Sequence, residues 1–435
     1  MLARGSVHRK RPLRGPRKLN SLPTIPPFGE VPNPHRNFFR RGATVNKPPA
    51  IEGDEYLRRQ SAAAEAASEA DYDALLICSR GGGTLDRYAN VFYLSGFYSP
   101  FPYIPDRHPD WSARAHPFIV LPAEAHPVLV ADVPVKGEAI HIRDVVVADD
   151  VTSAVIEALR SRNLEGARIG LVGSDTIPWK VFRELQQALP AVRWQPADDI
   201  LQRLRTIKSS SEIEILRQAS AIGSRAIDGM LDYAKPGVTH GEVMAVGLTL
   251  MAREGAQLYN AFMSSGSGGE SPVVVSSNFP TFAAAEPLQT GQWFHIGLSG
   301  VWRGYYFDHS RSMPVGDPTS AQIDVFEAAI ESVYAGIDAV RPGVTAGRVA
   351  GAGFTRLKEL GYSPSSEFSG LGHGIGVGWD DPWLMPDDTT PLGPGMVLCI
   401  EREVEAGGCV GDFEETVLVT EDGAELLTHA RVRRW

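Results

Sequence analysis

Cysteine is scarce in this chain. Cys78, Cys399 and Cys409 are the only three among 435 residues, and none stands in a Cys-x-x-Cys or Cys/His spacing. A disulfide framework is thereby excluded, and a reducing, cytoplasmic compartment is expected. Long apolar runs are missing too: no stretch of 18 apolar residues occurs, so no membrane span is expected. Basic excess is absent overall, since 42 Lys and Arg face 52 Asp and Glu, a net charge of -10. A nucleic-acid partner is not expected, because binding a polyanion needs a basic face. The first twenty residues do hold seven Lys or Arg and no acid. Pro12, Pro16, Pro23, Pro26 and Pro27 then stand where a signal peptide would place its apolar stretch. Residues 1–50 read as a flexible, basic and Pro-rich arm.

What remains is ordinary globular material, 43% hydrophobic and long enough for two domains of about 150–230 residues each. Residues 54–69 are rich in Ala and Glu and predict a helix. DALLIC (73–78), FIVLP (118–122), PVLVAD (127–132) and ARIGLVG (167–173) are apolar runs of strand length. VTSAVIEALRSR (151–162) and VFRELQQAL (181–189) read as helices between and after them. This alternation predicts an α/β domain over 51–200, leaving 201–435 for a second domain.

Residues 97–111, FYSPFPYIPDRHPDW, interrupt the alternation. Four prolines argue against regular structure there. Phe97, Tyr98, Phe101, Tyr103 and Trp111 either cap the domain's own core or form a binding lid or dimer contact; a homodimer is the expectation.

The second domain contains a repeat. AIDGMLDYAKPGVTHGEV (226–243) and AGIDAVRPGVTAGRV (335–349) both read as a helix end, Pro-Gly-Val-Thr, and a new helix capped by Thr239 or Thr345. Two similar halves facing each other create a central cleft, where ligands tend to sit.

Four stretches place His or carboxylate among glycines and strand-like residues: 293–313, 370–385, 394–404 and 411–423. Asp308, His373, Glu401 and Glu414 supply one hard or borderline ligand from each, as a hydrolytic metal ion requires. Glu401 and Glu414 fall in adjacent apolar runs that can form a hairpin, with the carboxylates side by side. Two such carboxylates in an apolar sheet repel, and a cation removes that cost.

GHGIG, PGMVLCIE and FEETVLVTEDG, in this order, resemble the pita-bread metallopeptidase superfamily of methionine aminopeptidase, prolidase, aminopeptidase P and creatinase. The likeness runs from LRTIKSSSEIEILRQA (204–219) to GAELLT (423–428). DALLI and NVFYLSGF (90–97) resemble the creatinase/prolidase N-terminal domain more loosely. The resemblance implies a C-terminal α+β pita-bread domain with a pseudo-twofold repeat. It also implies a metallohydrolase holding one or two divalent ions of Mn, Fe, Zn or Co, acting on a C–N bond of a small non-peptide or Xaa-Pro-type substrate. By resemblance, Asp308, His373, Glu401 and Glu414 are metal ligands, Glu401 is the general base, and His373 belongs to the catalytic group. The homodimer is implied by the same family.

The sequence departs from the pattern at two places. The family's first metal-binding Asp is expected at position 297, which is Gly297. His295, two residues earlier on the same strand face, either replaces it or merely packs beside Trp293. FHIGLSG resembles the dimethylsulfoniopropionate-cleaving lyase branch with both acids of its Asp-x-Asp changed, so elimination is the alternative reaction. A non-catalytic scaffold is the third reading. Secondly, the peptidases carry a His seven residues after His373 and another near 277–280. Here WDDP supplies Asp380 and Asp381, which either contact a cationic substrate, together with Tyr98, or cap a turn.

Overall fold

A computed structural model describes residues 48–80, 89–134, 140–268, 272–277, 283–363 and 370–435. The basic arm up to residue 47 and residues 278–280 of the segment that lacks the expected His lie outside them. From Pro49 to Trp435 the chain packs as one unit.

Its first part holds helices α1 (Gly53–Glu69), α2 (Ala89–Ser95), α3 (Val151–Arg160), α4 (Trp179–Ala188) and α5 (Asp198–Thr206). They flank a sheet of β1 (Ala74–Cys78), β2 (Phe118–Pro122), β3 (Val128–Ala131), β4 (Asp144–Val147), β5 (Arg168–Val172) and β6 (Arg193–Pro196), ordered β4-β3-β2-β1-β5-β6. The central strand β1 is buried along its whole length. Leu75 and Ile77 pack with one hydrophobic cluster and Ala74, Leu76 and Cys78 with another. A strand covered on both faces needs apolar residues at every position, which is why ALLIC shows no alternation. The two strands that the sequence does not announce, β4 and β6, are the largely exposed sheet edges. Edge strands bury too little to carry an apolar signal.

The aromatic segment folds back on its own domain. Phe97 is buried, the Arg114 guanidinium lies 4.0 Å from the Phe101 ring centre, and Trp111 Nε1 donates to Pro105 O at 3.0 Å. Tyr103 meets His116 edge-on at 6.1 Å and stays 52% exposed.

The second part begins with helices α6 (Ser210–Tyr233) and α7 (His240–Arg253). Strands β7 (Gln257–Gly266), β8 (Val273–Ser276), β9 (Trp293–Trp302) and β10 (Tyr305–Pro314) follow. Helices α8 (Ser320–Ala339) and α9 (Ala346–Glu359) open the second half. It continues with β11 (Gly372–Ile375), β12 (Trp379–Trp383), β13 (Val397–Ala406), β14 (Cys409–Val419) and β15 (Ala424–Leu426). The strands form one sheet ordered β12-β11-β13-β14-β10-β9-β7-β8, with β15 on β14. The duplication is physical. Thr239 and Thr345 cap α7 and α9, and Gly237 and Gly343 take φ of +88° and +82°, which the turn after each proline requires. Gly237 N donates to Leu288 O, and Gly343 N to Leu392 O, both at 2.8 Å. Thr239 bridges Pro287 as Thr345 bridges Pro391. This is the pita-bread architecture with its pseudo-twofold repeat.

Candidate metal centre

The four helices cover one face of the large sheet and leave the other as the cleft. Phe294, Ile296 and Leu298 of β9 pack with residues of α6 and α7, while Leu398, Ile400 and Phe413 pack with residues of α8 and α9. Side chains alternate along a strand, so His295, Gly297 and Ser299 face the cleft, as do Cys399, Glu401 and Glu403. Register then aligns these positions across strands. Ser299 pairs with Asp308, Gly297 with Ser310 and His295 with Ser312. Arg311 pairs with Phe413, which places Thr416 beside Asp308, Glu414 beside Ser310 and Asp412 beside Ser312. Glu401 stands opposite Glu414, Glu403 opposite Asp412, Cys399 opposite Thr416, and His373 beside Cys399. Successive rungs of one sheet thus carry the acidic and imidazole side chains of five separate strands.

His373, Cys399 and Glu414 bring ligand atoms within 4.8 Å of one another, and Asp308 Oδ2 lies 3.9 Å from His373 Nε2. Asp308 is oriented by Ser299 Oγ, which donates to Oδ1 at 2.7 Å, and by Trp379 Nε1, which donates to Oδ2 at 3.2 Å. Glu414 Oε1 is buried and has no hydrogen-bond partner among the described residues. Burial pushes the Asp308 and Glu414 carboxyls up, and repulsion from neighbouring acids adds to the effect at Glu414. Burial, then Asp412 and Asp308, raise Glu401 to about 8. Burial holds His373 below its ordinary value, the neutral form that a ligand imidazole needs. Three carboxylates, two of them buried, beside one neutral imidazole, with one oxygen unpartnered, fit a divalent cation.

Cys399 was not foreseen as part of this group, because it has no Cys/His motif around it. Its position two residues before Glu401 was the available signal, since i and i+2 share a strand face. Trp379 and Ser299 were likewise missed.

Other expected residues lie elsewhere. His295 gathers with Glu403 and Asp412, its Nε2 2.8 Å from Asp412 Oδ2, and its ring lies 5.7 Å from that of Phe262. Asp380 requires a correction. It is buried, and its carboxylate is engaged by Arg205 and by Lys208 Nζ at 3.3 Å, so it is not presented to a substrate. Asp381 is half-buried on β12, a strand rather than a turn, and burial, then Asp380 and Asp388, raise its pKa. Tyr98 is half-buried in the aromatic segment, on none of the cleft strands. The cleft walls are aromatic instead. Trp379 and Trp383, 44% and 39% exposed, each stand 5.5 Å from the His373 ring, and Tyr259 meets Trp379 edge-on at 5.6 Å.

The acid cluster has a thermodynamic consequence. A carboxyl whose pKa is higher folded than unfolded holds its proton more tightly when folded. Its stabilising contribution is complete below the unfolded value, 4.5 for Glu401, and is lost as pH rises through the folded value, about 8. The metal-free protein is therefore expected to melt at lower temperature at pH 8 than at pH 5. Added Mn(II) should raise the melting temperature most at pH 8. Parallel melting curves with and without metal across that range would refute the cation fit.

Known proteins match this chain in sequence and in architecture. Residues 214–421 match the model of metallopeptidase family M24, and residues 59–207 that of the creatinase/prolidase N-terminal domain. An Xaa-Pro dipeptidase of Pyrococcus furiosus is 29% identical over 266 residues, covering 60% of this chain and 73% of the relative. A probable dipeptidase PepE of Mycobacterium tuberculosis is 29% identical over 314 residues, covering 70% and 81%. Among solved structures, the prolidase of Pyrococcus horikoshii superposes with a TM-score of 0.70 at 24% identity, covering 86% of this chain and 99% of that one. Dipeptidase PepE of Mycobacterium ulcerans gives 0.69 at 28% identity, covering 88% and 98%.

Proposed function

Because the chain belongs to the pita-bread metallopeptidase superfamily, in its creatinase and prolidase branch, we propose that it is a metal-dependent dipeptidase for short Xaa-Pro-type substrates. Asp308, His373, Glu401 and Glu414 would hold the divalent ion. The observation that carries this reading is the buried, unpartnered Glu414 Oε1 among three other ligand-type side chains. When bound, the ion lowers the pKa of water and polarises the scissile carbonyl.

The chain's own residues supply the rest. Glu401, opposite Glu414 on the cleft floor, is suited once the cation holds it ionised to take a proton from the attacking water and return it to the leaving amine. Ser299 and Trp379 hold Asp308 in one orientation. Trp379, Trp383 and Tyr259 offer apolar walls for a prolyl or similar side chain. The relatives point to hydrolysis of dipeptides rather than to elimination. Incubation of the Mn(II)-loaded protein with a panel of Xaa-Pro dipeptides is expected to release free proline, and chelation should abolish that release. A loaded protein that cleaves no dipeptide would defeat the proposal.

A further inference from the structure

The same cleft face carries a second group of ligand-type side chains, one rung beyond the first. The rung of Glu401 and Glu414 is followed by the rung of Glu403 and Asp412, again two carboxylates directly opposite each other. Like charges in that position repel. His295 reaches this rung from β9, and its ligand atom and those of Glu403 and Asp412 lie within 4.8 Å of one another. The imidazole is held from both sides. Ser264 Oγ is 3.2 Å from Nδ1, while Nε2 stands 2.8 Å from Asp412 Oδ2 and 3.2 Å from Ser310 Oγ. Ser310 Oγ in turn donates to Asp412.

Gly297 leaves the adjoining space open. A Cβ built there would meet nothing nearer than His295 Nε2 at 3.8 Å and Phe262 O at 3.9 Å. Ser310, the cross-strand partner of Gly297, donates to the Asp412 carboxylate. A simple His–Asp ion pair would need only one carboxylate. Here a second one stands beside it, and the three donors come from β13, β14 and β9, with β10 between the last two.

We propose that His295, Glu403 and Asp412 form a second divalent-cation site, with Asp412 supplying from β14 the carboxylate that β9 lacks at Gly297. One nitrogen and two oxygen donors suit Mn, Fe, Co or Zn. This inference rests on the proposed reading only in that the cleft binds divalent cations, since the two sites share no residue.

The test is a Mn(II) titration of chelator-treated full-length protein, with free Mn(II) counted by electron paramagnetic resonance. Two ions per chain are expected. Asp412→Asn and Glu403→Gln should each reduce this to one, as should His373→Ala through the other site, and His373→Ala combined with Glu403→Gln should bind none tightly. Glu403 is partly exposed, so its Gln variant decides the matter if Asp412→Asn does not fold. One ion per chain that is unaffected by Glu403→Gln and lost with His373→Ala would overturn the second site and leave the dipeptidase centre standing. An ion lost with Glu403→Gln and unaffected by His373→Ala would uphold the second site and remove the proposed catalytic one.

Discussion

His373→Ala and Glu414→Ala are expected to purify as folded proteins and to lose roughly 10³-fold or more in kcat/KM for dipeptides, equivalent to about 4 kcal/mol of transition-state stabilisation. Both side chains are buried in the cleft floor on different strands, and each offers a ligand atom to the same point. Removing His373 takes away the one neutral nitrogen donor of the group. Removing Glu414 takes away the carboxylate whose Oε1 has no other partner. Neither change should unfold the sheet, because the aliphatic core under the helices lies on its opposite face. Glu414→Ala should even relieve like-charge repulsion in the metal-free state. Circular dichroism with steady-state kinetics and metal content per chain would measure this. Turnover within a few fold of the parent in either variant, at equal metal occupancy, would refute a metal mechanism at this point.

Asp380→Ala should cost stability rather than substrate affinity. The Asp380 carboxylate neutralises Arg205 and Lys208, both buried, and Arg205 Nη1 also donates to Asn90 Oδ1 at 2.9 Å. Arg205 lies in α5, Asn90 in α2 and Asp380 in β12, so this cluster ties the first sheet's helices to the edge of the second sheet. Without Asp380 two buried cations lose their direct ion-pair partner, and breaking such a buried pair typically costs about 3–5 kcal/mol. A denaturant titration should show an earlier midpoint by that amount. The opposite result, an unchanged midpoint with a large rise in KM, would reinstate Asp380 as a substrate contact.

Much of the centre was legible before the fold was known, and for identifiable reasons. Glu401 and Glu414 could be paired because each sits in an apolar run long enough for a strand, with a Gly-containing turn between the runs. The four-ligand set could be assembled because each member lies in a glycine-flanked segment of the same type. Asp380 was misread because WDDP looks like an exposed acidic turn; its partners Arg205 and Lys208 are more than 170 residues away in sequence. Asp412 and Glu403 were passed over because acids at the end of a hairpin are usually solvated.

The α/β first part and the duplicated helix pairs can be read from the sequence, which also offers Asp308, His373, Glu401 and Glu414 as ligand-type side chains. Each of these rests on local periodicity, capping and residue chemistry. How these side chains group depends on the fold. Strand register puts Cys399 next to His373, turns Asp380 into a link between the two parts, and sends His295 to Asp412 and Glu403. Register is set by which faces the helices bury and by how the strands pair across the sheet, and neither is written in any single segment.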